Sequence, residues 1–214
     1  PPPPPPPPHT LFESSAASDV YKRQAEHWDG PPDLVALSKG FGAGYMPLGA
    51  MIAHERIVEA VLDAGGFAHG FTYAGNPLAC AAGLAVINEI EAQGLLENAS
   101  AMGELLERRL IELLRSYPFI GDVRGKGLLL AFELVSDRDS MTPLPAQLNA
   151  YDKLVNLAYE RGLIIYSRRT RDGIEGDHFL VCPPMIVTAE QIDEIIEKLG
   201  ASLEDLAQAL DLGG

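Results

Sequence analysis

Between Leu34 and Leu210 the chain alternates apolar segments of strand length with longer segments of helical period, which restricts it to an α/β architecture. Leu34 to Leu37 and Gly49 to Ala53 read as strands, and His54 to Ala64 as a short helix. A turn-rich loop, Gly65 to Asn76, leads into an alanine-rich helix from Pro77 to Gln93, with Pro77 suited to its first turn. Leu95, Ala99, Met102, Leu106, Leu110 and Leu113 then recur at helical spacing, and Pro118 stops that helix. Two strands follow, Ile120 to Arg124 and Leu128 to Val135. After them come a helix near Ala146 to Arg161 and strands at Leu163 to Tyr166 and His178 to Cys182. The last helix runs from Thr188 to Leu210, with Thr188 as N-cap and Gln191 at the capping-box position.

Residues 1 to 24 stand apart from this pattern. Pro1 to Pro8 reads as a poly-C tract, and Ser14 to Gln24 back-translates into what resembles the adapter and transposon end of a tagmentation library. This leader is expected to be non-native and disordered, so it is set aside in reading the fold. The chain does not begin with methionine, and the natural sequence is expected to start at Ala25 as the C-terminal part of a longer protein.

The formal charge of −14 belongs to the part beyond the leader, because Glu13 and Asp19 balance Lys22 and Arg23. Such an acidic surface argues against nucleic acid or an anionic membrane as partner. Most of the acid falls on helical faces, such as Glu89, Glu91, Glu190, Asp193, Glu194 and Glu197, and reads as solvated surface. Cys80 and Cys182 lie in apolar contexts without metal-ligand spacing, so they read as reduced, buried packing residues and no metal is expected. No apolar run approaches the roughly 20 residues of a membrane span. A cytoplasmic, soluble protein is the expectation.

The chemistry gathers at Pro32–Ala50, where an apolar strand ends in Ser38 and Lys39 and the glycine-rich turn Gly40-Phe41-Gly42-Ala43-Gly44 follows. A lysine at the end of a buried strand must pair its charge or lose it, and a partly neutral lysine is a nucleophile for carbonyl groups. The spacing G-x-G-x-G is not a dinucleotide fingerprint, and Lys39 precedes the glycines, so no phosphate loop of the Walker type is present. A second constellation, His69-Gly70-Phe71-Thr72-Tyr73-Ala74-Gly75-Asn76-Pro77, is a hydroxyl-bearing loop that enters a helix N-terminus, a setting suited to anions. A third is Arg168-Arg169-Thr170-Arg171 beside apolar strands, where a guanidinium fork could meet a carboxylate.

The segment Pro32–Ala50 closely resembles the lysine segment of the class III aminotransferases, which use pyridoxal 5′-phosphate (PLP). The resemblance implies that Lys39 is the Schiff-base lysine, catalytic and cofactor-binding. It also implies that Thr72, with Phe71 beside it, reaches the cofactor phosphate of the other subunit of a homodimer. Many relatives place one substrate-carboxylate arginine between the last two strands. The connection here is longer, so Arg168, Arg169 and Arg171 all remain candidates. Arg124, in Val123-Arg124-Gly125-Lys126-Gly127, resembles a family turn that opens the small domain and is read as structural. Glu26-His27-Trp28 resembles the segment after the family's cofactor-binding aspartate, with His27 and Trp28 as packing or dimer-contact residues. Cys182-Pro183-Pro184-Met185-Ile186-Val187-Thr188 is most similar to the ω-amino acid:pyruvate branch.

The fold this implies is α/β: the C-terminal part of the fold-type I PLP-dependent transferase large domain, followed by a small α+β domain. Residues 25–116 would be part of the PLP-binding large domain plus an interdomain helix, and residues 117–214 the small domain, with a boundary near Ser116. The implied reaction moves an amino group from an amine or ω-amino acid to a 2-oxo acid such as pyruvate. The family's acid for the pyridine nitrogen, its Gly-Ser phosphate cup and its stacking aromatic ring do not occur in residues 25–214, so this chain alone is expected to be inactive. The competing expectations are a PLP-dependent aminomutase or decarboxylase of the same fold, or a non-catalytic truncated half.

Overall fold

The structure is a computed structural model that describes residues 32–170 and 175–212. The leader and Glu26-His27-Trp28 lie outside the described residues. The chain divides into two compact units, Pro1–Leu96 and Glu97–Gly214. This division falls ahead of the Ser116 boundary read from the sequence.

In the first unit β1 (Leu34–Leu37) and β2 (Ala50–Ala53) pair antiparallel, Leu34 opposite Ala53 and Leu37 opposite Ala50. A 3-10 turn, Lys39–Gly42, leaves the end of β1. Helix α1 (Glu55–Asp63) starts at His54, whose Nδ1 accepts the Arg56 N–H at 3.3 Å. Helix α2 (Pro77–Ala92) follows the long loop, with Pro77 in its first turn as its missing N–H allows. The lysine-bearing strand was expected to be buried, but β1 alternates exposed with half-buried residues, and Leu34 is 53% exposed. Among the described residues β1 and β2 pair only with each other, and a two-stranded sheet cannot enclose its own faces.

The second unit is organised around a sheet of order β3-β4-β7-β6, with a short strand β5 on β4. Its strands are β3 (Ile120–Lys126), β4 (Leu129–Asp137), β5 (Thr142–Pro143), β6 (Tyr166–Thr170) and β7 (Glu175–Val181), all antiparallel to their neighbours. Leu130, Phe132 and Leu134 alternate with Leu129, Ala131 and Glu133 along β4, and the first set is buried. Phe132 stacks on Phe179 of β7 with ring centres 5.0 Å apart. Three helices bury apolar stripes: α3 (Leu95–Leu114) through Leu106 and Leu110, α4 (Ala150–Glu160) through Leu154, and α5 (Ala189–Leu210) through Ile192, Leu199 and Leu203. Gly103 of α3 lies so close to the β3–β4 turn that a Cβ there would sit 2.4 Å from the Gly127 carbonyl carbon. The capping box at Thr188 and Gln191 forms as expected.

Three expectations are corrected. The helix expected from Ala146 is split: a 3-10 turn, Ala146–Leu148, ends at Asn149, which has a φ of 51°, and α4 proper begins at Ala150. The strand expected at Leu163 begins only at Tyr166. Gly162, at φ 72°, ends α4, and the Leu163 N–H reaches back to the Ala158 carbonyl at 2.9 Å, so the buried Leu163 belongs to a helix-terminating motif and not to a strand. The two cysteines are free but exposed as residues, although burial around the Cys182 sulfur pushes its thiol up to about 11. Among the described residues no helix is long and apolar enough to cross a membrane, and no group of three or more His, Cys, Asp or Glu side chains is placed to hold a metal.

Candidate active site

At the end of β1 the chain turns at once. Ser38 is extended, and Lys39 opens the 3-10 turn with a φ of 54°. A positive φ on a residue with a Cβ costs on the order of 1 kcal/mol and persists only where its surroundings hold it. The Phe41 N–H to Ser38 carbonyl bond, 3.2 Å, and the Ala43 N–H to Gly40 carbonyl bond, 2.9 Å, hold the turn closed. Gly42 is buried within it. Helix α2 comes against the same turn at Gly83, where a Cβ would lie 2.5 Å from Leu48 Cδ2 and 3.5 Å from the Phe41 carbonyl oxygen. The Lys39 side chain is exposed, with neither a carboxylate partner nor a side-chain hydrogen bond among the described residues. A lysine amine fixed by its backbone and left unpaired is open to a carbonyl or an anion. The sequence marks Lys39 and its glycines but not the left-handed turn.

Phe71 and Thr72 lie between α1 and α2. Phe71 is 78% exposed, and its ring meets that of His69 edge-on at 4.9 Å. Thr72 opens a tight turn in which the Ala74 N–H donates to the Phe71 carbonyl at 2.9 Å and the Asn76 N–H to the Tyr73 carbonyl at 3.2 Å. Asn76 then caps α2: its Oδ1 accepts the Leu78 N–H at 3.0 Å and the Ala79 N–H at 3.2 Å. Asn76 was not singled out from the sequence, though an asparagine immediately before a helix-starting proline is the available signal. Lys39 and Thr72 thus belong to one unit, but no bond or ring contact joins Lys39 to Phe71 or Thr72 among the described residues.

In the second unit the arginines separate. Arg168 and Arg169 sit in β6 and so point to opposite faces of the sheet. Arg169 is directed inward: its Nε donates to Asp177 Oδ1 at 2.9 Å and its Nη2 to the Ala146 carbonyl at 3.0 Å. Its guanidinium carbon also lies 4.3 Å from the centre of the Tyr151 ring. Asp177 is only 4% exposed, and its Oδ2 accepts the Tyr151 N–H at 3.2 Å. Arg168 is exposed, its guanidinium carbon 5.5 Å from the Tyr166 ring centre, with no carboxylate partner among the described residues. It stands opposite His178, which stands opposite Glu133 in turn. Arg171 lies outside the described residues.

Arg124, read as structural, bonds through Nη1 to Glu133 Oε1 at 2.6 Å and to Asp122 Oδ2 at 3.1 Å. Burial works to lower its pKa, and the two carboxylates outweigh that, leaving the guanidinium raised and firmly charged. Asn98 anchors the segment after Pro183-Pro184, its Nδ2 donating to the Met185 carbonyl at 2.6 Å and the Val187 carbonyl at 3.1 Å.

The family model described as aminotransferase class-III matches residues 24–203. The chain is 35% identical over 173 residues to an uncharacterised aminotransferase, YodT, of Bacillus subtilis, covering 80% of this chain and 39% of that protein. It is 36% identical over 186 residues to a leucine/methionine racemase of Thermococcus litoralis, covering 86% of this chain and 38% of that one. Among solved structures, an amine transaminase from an uncultivated Pseudomonas species, determined in its PLP-bound form, is 33% identical with a TM-score of 0.79. The match covers 88% of this chain and 42% of that transaminase. The chain therefore spans about two fifths of the length of the proteins it resembles.

Proposed function

Because the chain belongs to the class III aminotransferases, we propose that its parent protein is a PLP-dependent transaminase that moves an amino group from an amine or ω-amino acid to a 2-oxo acid such as pyruvate. The observation that carries this reading is the placement of Lys39: an exposed amine, without a partner among the described residues, on a left-handed turn that is closed by backbone bonds and packed against α2 through Gly83. The anchoring end of PLP fits such a lysine, which needs an accessible amine and no competing carboxylate. When bound, PLP supplies the electron sink.

The chain's own residues then take distinct parts. Lys39 Nζ would hold the cofactor, and its amine would be the acid–base group that serves the amine-bearing carbon of the substrate. Thr72, on its turn before the capped end of α2, offers a hydroxyl to the cofactor phosphate across a homodimer, with Phe71 beside it. Of the two candidate arginines on β6, Arg168 is the one free to bind a substrate carboxylate, since Nε and Nη2 of Arg169 are taken by Asp177 and the Ala146 carbonyl. The acid for the pyridine nitrogen and the phosphate cup are assigned to protein beyond this chain. The acidic composition and the two unpaired cysteines support a cytoplasmic setting.

The test is alanine formation from pyruvate and an amine donor by the complete, PLP-loaded protein. The wild type transfers the amino group, and Lys39→Ala lowers the rate on the order of 10³-fold. Full activity of Lys39→Ala, or no transfer by the wild type, overturns the reading. The likeness to a racemase supports one second reading, interconversion of amino-acid enantiomers. Turnover of a chiral amino acid without any 2-oxo acid would favour it.

A further inference from the structure

Helix α4 lacks a cap from its own flank. Asn149 is left-handed at its N-terminus, and its side chain makes no capping bond to the helix backbone. The bond is supplied from β7, where Asp177 Oδ2 accepts the Tyr151 N–H at 3.2 Å. The other carboxylate oxygen accepts Arg169 Nε at 2.9 Å, and the same guanidinium donates to the Ala146 carbonyl at 3.0 Å. Asp177 is thus a buried carboxylate with one oxygen on an arginine and the other on a helix N-terminus.

The position of this pair in the sheet matters. Arg169 and Asp177 face each other in register, and the β6–β7 pairing shifts register immediately afterwards, between Arg169 and Thr170. The pair therefore closes the regular ladder near the end of β6. Strand side chains alternate, so holding Arg169 inward holds Arg168 outward, and a slip of one residue would exchange them.

We infer that Asp177 is a positioning residue that decides which of Arg168 and Arg169 faces the substrate: by locking Arg169 inward it presents Arg168 to a carboxylate. This rests on the reading of Arg168 as the carboxylate-binding residue. The experiment uses the complete, PLP-loaded protein and separates two half-reactions: one with 1-phenylethylamine, which has no carboxylate, and one with pyruvate. Asp177→Asn raises KM for pyruvate about tenfold, the loss expected when a buried charge pair is broken. The rate of cofactor amination by 1-phenylethylamine stays within about twofold of wild type, since one tenfold factor is about 1.4 kcal/mol and little of it touches that step.

Arg169→Lys keeps the charge but loses the fork, and raises the same KM about threefold if the lock operates. This second variant decides the matter should Asp177→Asn not fold. An unchanged pyruvate KM in both variants, or equal losses in both half-reactions, overturns the inference. Arg168→Ala tells the two levels apart: if it raises the pyruvate KM while Asp177→Asn does not, the inference alone has failed. If Arg168→Ala leaves that KM unchanged, the reading beneath it has failed.

Discussion

The two units of this chain use their apolar residues in opposite ways. In the second, Leu106, Phe132, Leu154, Phe179, Ile192 and Leu203 are all fully buried, and sheet and helices enclose one continuous core. In the first, only Gly42, Ala79 and Gly83 are buried among the described residues, while Leu34, Met51, Leu62, Phe67, Phe71 and Leu78 stand exposed. Helix α2 is apolar on nearly every side, which is the composition of a helix enclosed by protein. Yet the unit whose described residues bury so little carries Lys39 and Thr72, and the unit with the core carries Arg168 and Arg169. The residues proposed to face the cofactor thus sit where the described residues bury little, in a chain that spans about two fifths of the length of its relatives.

The sharpest way to break this contrast is hydrogen exchange on the chain. Amides of β4 and α5 should exchange about a thousandfold more slowly than those of β1 and α2, because protection tracks local stability. Equal protection in both units would abolish the contrast. Next in size is Phe132→Ala, which removes a fully buried ring stacked on Phe179 and should cost about 3–5 kcal/mol of the second unit's stability in a urea titration.

A matched pair of glycine substitutions sharpens the comparison further. A Cβ at Gly103 meets the Gly127 backbone at 2.4 Å, so Gly103→Ala should destabilise by about 1–3 kcal/mol. A Cβ at Gly83 meets the movable end of Leu48, and the helix gains an alanine, so Gly83→Ala should change stability by less than about 1 kcal/mol. Comparable losses at both sites would mean that the first unit is as tightly fixed as the second. The smallest effect is expected for Thr188→Ala, which removes one half of the capping box of α5 and should cost about 1 kcal/mol by thermal denaturation.

Local signals account for what was legible in the sequence. β1, α2 and α5 lie within a residue or two of their expected bounds, because apolar period, Pro77 and Thr188 act over a few neighbouring residues. Leu163 misled because an apolar residue after a helix-ending glycine resembles the start of a strand until the Ala158 bond is known. The burial expected of β1 failed because the run of apolar residues reports the environment the strand evolved in, not what the described residues of this chain put around it. The pairing of Asp177 with Arg169 could not be read at all. It depends on the register in which β6 and β7 pair, which no local signal reports. The resemblance to class III aminotransferases placed Lys39 at the centre of the chemistry; the structure adds its left-handed turn and its lack of a carboxylate partner among the described residues.

Borohydride reduction of the complete, PLP-loaded protein, followed by peptide mass analysis, tests the central claim most directly. The account predicts a pyridoxyl group fixed to Nζ of Lys39, on the peptide that contains Ser38-Lys39-Gly40. A label on a different lysine, or no label on any, would contradict it.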